Sequence, residues 1–151
     1  MHRTEGFGLL ELMLALVITS LLMSVAFPVY GRFLQRAKVA AAIGDIGSIA
    51  VDIEVFRLRN RDRVPADLAE LQSVVSNDPW GRPYVFLNII DDNPNIGAVR
   101  KDGKLNPLNT DYDLYSVGKD GDSKGPLNAK ASRDDVIRAK NGAFIGLGED
   151  Y

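Results

Sequence analysis

The chain has 151 residues, a net charge of −2, no cysteine and a single histidine, His2. That composition excludes a disulfide framework and a thiolate metal centre, and away from the first residues it also excludes an imidazole metal site or a Ser-His pair. With 18 basic and 20 acidic residues there is no global field for nucleic acid, and only carboxylate chemistry stays open, so the chain reads as a non-enzyme.

From Leu9 to Val29 nearly every residue is apolar, interrupted by Glu11, Thr19, Ser20 and Ser24. About 20 apolar residues suffice to cross a bilayer core as a helix. Glu11 is the exception, because a carboxylate in that setting costs about 2–3 kcal/mol at mid-membrane and less near the end. No cation lies within a helical turn of it. A cut after Gly6 would create one, the α-amino group of Phe7, which could meet Glu11 of a neighbouring helix.

Gly6-Phe7 followed by Glu11 at the head of an apolar helix resembles the prepilin-peptidase motif of type IV pilins and type II secretion pseudopilins. The resemblance implies cleavage after Gly6 by a membrane peptidase, usually with methylation of Phe7. It also implies that Glu11 helps insert and register each subunit in a helical homopolymer. Pro28 matches the family's proline at the same distance, where it would kink or loosen the helix. A conventional signal peptide could use Ser24-Val25-Ala26, but the nearly charge-balanced Met1–Glu5 and the interruption at Glu11 disfavour it. An ordinary signal anchor would gain nothing from Glu11. Arg32, Arg36 and Lys38 follow the run, so charge does not set its orientation. A cytoplasmic N-terminus, with the rest periplasmic, is implied by the resemblance alone.

After Pro28 the pattern becomes one-sided. Ile43, Ile46, Ile49 or Ala50, Ile53 and Phe56 recur at steps of three and four, the spacing of one helix face. One helix is expected from Phe7 to about Arg59, with Gly31, Gly44 and Gly47 as weak points. Arg57, Arg59, Arg61 and Arg63 suit a solvated helix end, with a charge contact between subunits as the functional alternative. Pro65 to Leu71 reads as a short helix opened by proline, with Leu68 and Leu71 turned inward.

Asp78-Pro79-Trp80-Gly81-Arg82-Pro83-Tyr84 is a turn with an aromatic on each side, and it resembles a segment of type II secretion major pseudopilins. Trp80 reads as core rather than as a binding-site stack. Tyr84–Ile90 reads as a strand, turned at Asp91-Asp92-Asn93-Pro94, and Ile96–Lys101 as a second strand. Asp111–Gly118 alternates polar and apolar residues and reads as a half-buried strand. Ser132 and Asp135 could cap a short helix through Ala139, and Asn141-Gly142 marks a turn or helix stop.

Asp120, Asp122, Asp134 and Asp135 place four carboxylates in one loop, a donor set suited to Ca²⁺. The EF-hand spacing is absent. Ser116-Val117-Gly118-Lys119-Asp120-Gly121 with Asp134-Asp135-Val136 resembles the calcium loop of the major pseudopilin. That resemblance implies side-chain ligands Asp120, Asp134 and Asp135, carbonyls of Val117 and Asp122, and the Ser132 hydroxyl. The interval between the two halves is longer here and carries Lys124, Lys130 and Arg133, which could pair with the aspartates and replace the metal.

The expected fold is α+β and pilin-like, a long N-terminal helix on a small antiparallel sheet with a C-terminal loop region. Its divisions are a leader at 1–6, a transmembrane assembly helix at 7–30, the soluble half of the helix at 31–63 and a globular domain at 64–151, with the calcium-type loop at 117–136. The resemblance implies a major pseudopilin that polymerises into a pseudopilus for type II secretion. Its partners would be copies of itself, the prepilin peptidase, an inner-membrane platform with its ATPase, and minor pseudopilins. A surface type IV pilin and a single-pass calcium-binding module are the alternatives.

Overall fold

The computed structural model describes residues 8–71, 77–90, 97–103 and 105–151. Gly6, Phe7, the leader and the expected turn at Asp91–Pro94 lie outside the described residues. The chain divides between Ala37 and Lys38 into two compact units. Helix α1, Leu9–Arg59, runs through both and retains Pro28 inside it.

In the first unit the helix is held by its own hydrogen bonds. The Thr19 hydroxyl donates to the carbonyls of Ala15 and Leu16, Ser20 to Val17 and Ser24 to Leu21. Folding these hydroxyls back on the backbone leaves no side-chain donor unsatisfied in the apolar run, as a lipid environment requires. Leu9 to Tyr30 is exposed throughout, Phe27 at 80%. By length and composition this helix can cross a membrane.

The second unit is built on the periodic isoleucines. Ala42, Ile46, Ile49 and Ile53 are fully buried along one stripe of α1 and pack with Val64, Leu71, Tyr84, Tyr112, Leu114 and Val136. Trp80 and Phe56 are partly buried against the same cluster. The helix stops without glycine: Arg61 and Asp62 take positive φ values of 56° and 67°. Arg57 pairs with Glu54 and Asp62, and Arg63 pairs with Glu70 while lying over the Phe56 ring. A single 3₁₀ turn follows at Leu68–Glu70, capped by the Asp67 carboxylate.

The sheet is an antiparallel meander of β1 (Val85–Asn88), β2 (Tyr112–Ser116), β3 (Val136–Ala139) and β4 (Phe144–Leu147), in that order. Side chains alternate between its faces. Tyr112, Leu114 and Val136 join the helix-side core, and Tyr115, Ile137 and Ala139 join a second cluster with Leu108, Leu127, Phe144 and Tyr151.

Two expectations are corrected. Residues 136–139 form a strand rather than a capped helix, because they pair with β2 on one side and β4 on the other. Lys140 and Asn141 at φ 51° and 54°, with Gly142 at 93°, turn that hairpin. No ladder strand forms over 97–101, where a turn leads to one bridge between Lys101 and Pro126.

Candidate functional sites: the assembly helix and the C-terminal loop

Glu11 sits at the third position of α1, and its carboxylate reaches back to accept the Gly8 backbone N–H at 3.0 Å. This is the reciprocal half of a capping box, which satisfies one of the donors a helix start leaves open. Among the described residues no cation approaches Glu11 within salt-bridge distance.

The turn at Asp78–Tyr84 is organised by Asp78, which is buried. One carboxylate oxygen accepts from the Trp80 and Arg82 amides at 3.0 and 2.9 Å, and the other accepts from the Ser116 hydroxyl. The Tyr84 hydroxyl donates to Asp45 of α1 at 2.8 Å, tying turn to helix. Arg82 then reaches across to the carbonyl of Gly118 at 2.7 Å. Gly118, at φ 65°, leaves β2 so close to the Asp134 carbonyl that a Cβ would overlap it. This position needs glycine.

Beyond Gly118 the expected ligands point to separate partners. Asp134 accepts from the amides of Lys119 and Asp120 at 2.8 and 3.0 Å. Asp120 accepts from the Asp122 amide and Asp122 from the Ser123 amide, both at 2.9 Å. Val117 is half-buried just past β2. The Ser132 hydroxyl clamps Lys124, taking its amide at 3.0 Å and donating to its carbonyl at 2.7 Å. Asp135 is fully buried, and its carboxylate meets the Arg100 guanidinium and the Ser123 hydroxyl, each at 2.6 Å.

Arg100 is itself buried, with its guanidinium 4.3 Å from the Tyr115 ring centroid. It also donates to the Ser123 hydroxyl and, at 3.0 Å, to the Lys124 carbonyl, while its amide donates to Asp113 at 2.7 Å. Burial pushes the Asp135 carboxyl above its ordinary value, against the opposing pull of Ser123 and Arg100. Burial does the same to Asp113, opposed by the Arg100 amide and Asn109.

The family described as "Prokaryotic N-terminal methylation motif" matches residues 1–27. The chain is type IV pilin-like. It is 28% identical to type II secretion system core protein G of Pseudomonas aeruginosa over 84% of this chain and 92% of that protein. It is 29% identical to the protein of the same name from Klebsiella pneumoniae, over 90% and 94% of the two chains. Fimbrial protein Q of Moraxella bovis is 31% identical over 37% of each chain. No solved structure gives a significant match.

In this pilin-like chain the expected calcium ligands do not form a fitting set as folded. Calcium gathers six to eight oxygens at about 2.3–2.6 Å, yet among the described residues no three His, Cys, Asp or Glu side chains converge on one point. Among the described residues Asp135 Oδ1 is the one buried carboxylate oxygen left without a partner, and the matching Asp135 Oδ2 is held by Arg100. Lys124, Lys130 and Arg133 are the cations of the loop itself that could replace the metal. Of these, Lys124 lies 3.7 Å from Asp122 in an exposed pair, a contact of little energetic weight. The cation that meets Asp135 is Arg100, which the sequence hid inside an expected strand.

Proposed function

We propose that this protein is a structural rather than catalytic subunit, the major pseudopilin of a type II secretion system. The observation that carries the reading is likeness to core protein G along most of both chains, together with the methylation motif on a membrane-length helix. Cleavage follows Gly6, and Phe7 becomes the methylated N-terminus. The subunit then spans the inner membrane once, with its N-terminus cytoplasmic and the sheet unit periplasmic. A platform and ATPase supplied in trans extrude it into a periplasmic pseudopilus whose tip carries minor pseudopilins.

The physical logic lies in the two halves of α1. Its exposed apolar run is satisfied by lipid before assembly and by neighbouring runs after it, since van der Waals packing can replace lipid contact. Before cleavage, Glu11 caps its own helix at Gly8. After cleavage, the Phe7 amine of a neighbour offers it a full positive charge, which is worth far more in a low-dielectric setting than in water. Register between subunits follows from that pairing. A surface type IV pilus is the second reading, supported by the shorter likeness to fimbrial protein Q.

Intact mass of the protein in two fractions of native cells tests this reading. A chain beginning at Phe7 and confined to the cell envelope is the expected result. The same mature chain in abundant sheared filaments would favour the surface pilus, and finding only the uncut chain would reject both.

A further inference from the structure

We infer that the C-terminal loop of this protein is locked by a buried arginine in place of a metal ion, so that its order does not depend on calcium. The side chains of Arg100 and Asp135 are 2% and 0% exposed and meet at 2.6 Å, 35 residues apart in sequence. The same guanidinium holds the Ser123 hydroxyl and the Lys124 carbonyl and stacks on Tyr115 of β2. One planar cation thus joins the segment before β2, the loop after it and Asp135, the residue just before β3.

A second arginine grips the loop's first turn. Arg82 donates to the Gly118 carbonyl at 2.7 Å and the Lys119 carbonyl at 3.5 Å. A Cβ on Gly121, at φ 75°, would come within 2.5 Å of the Arg82 guanidinium, so the loop backbone is closed down on it. Carbonyl and carboxylate oxygens of the kind calcium would gather therefore face two guanidinium groups. Guanidinium suits this task because it presents fixed donors in a fork and stays charged at any pH the fold survives. Unlike a bound ion, it cannot be removed by a chelator.

The pair is end-on, which leaves Arg100 Nε and Asp135 Oδ1 without partners. Breaking such a buried pair from one side strands the other charge in a dry site. Loss of Arg100 should therefore free the loop while the helix-side core stays assembled.

The test uses the full chain in detergent and measures tryptic cleavage at Lys119, Lys124, Lys130 and Arg133. In the unaltered protein, millimolar calcium and excess EGTA are expected to give the same cleavage rate and the same melting temperature. Arg100→Gln is expected to raise loop cleavage by about tenfold or more, since proteolysis follows the population of the locally opened state. Asp135→Asn should raise it in the same direction and serves if Arg100→Gln does not fold. Protection of the unaltered loop by calcium, or its release by EGTA, would overturn the inference. So would an unchanged cleavage rate in both variants.

Discussion

The apolar run of α1 and the loop between β2 and β3 solve opposite problems. From Leu9 to Tyr30 every residue is exposed, and the hydroxyls of Thr19, Ser20 and Ser24 are folded back on the helix itself. That segment is unfinished as a single chain and needs lipid or neighbours. The loop carries far more charge, yet its Asp135 and Ser132 are buried and find their partners within the chain, Asp135 in Arg100. One region is written for other molecules, and the other is complete in itself. The two should therefore fail independently.

Ile49→Ala should produce the largest effect of that kind. Ile49 is fully buried in the helix-side core, and truncating such a residue costs about 2–5 kcal/mol through lost burial and the cavity left behind. Denaturant unfolding of the detergent-solubilised chain should show that loss in the sheet unit, while membrane insertion of the apolar run is unchanged. A drop in insertion would break the separation between the regions.

Alkaline pH should sharpen the comparison with a smaller effect. Burial pushes the Tyr112 hydroxyl up to about 12, and it raises Tyr84 and Tyr115 as well. An unfolded tyrosine loses its proton near about pH 10. Above that value the unfolded chain has released protons the folded chain still holds, so stability falls with rising pH. The contribution is fully present below about pH 10 and is lost as pH rises through about 12. Unfolding midpoints over this range should decline in step, whereas a flat profile would contradict the burial of these rings.

The legible parts of the chain were those specified by local pattern. Uniform apolarity marked the N-terminal half of α1, the three-and-four spacing of the isoleucines marked its buried stripe, and Asp78 to Tyr84 announced a turn. Strand β2 was visible because polar and apolar residues alternate from Asp111. Strand β3 was not, since Ser132 and Asp135 imitate a helix cap and four residues are too few to show a period. Its nature is decided by pairing on both edges and by Arg138, which lies 3.9 Å from the Tyr112 ring centroid and pairs with Asp111. Asn141-Gly142 between two short apolar runs was the available hairpin signal. Arg100 left no local trace, because a charge in a short apolar segment looks solvent-facing until its buried partner is known. The carboxylates that suggest calcium lie between β2 and β3, but which cation meets Asp135 depends on a residue far outside that loop.

The most direct test of the central claim is a single variant with two readouts. Glu11→Ala should abolish filament assembly in cells, because the helix loses the carboxylate that would meet a neighbour's Phe7 amine. The melting temperature of the same purified variant should match the unaltered protein, because Glu11 lies outside the unit that carries the core. Assembly that survives Glu11→Ala, or a sheet unit that melts with it, would contradict the account.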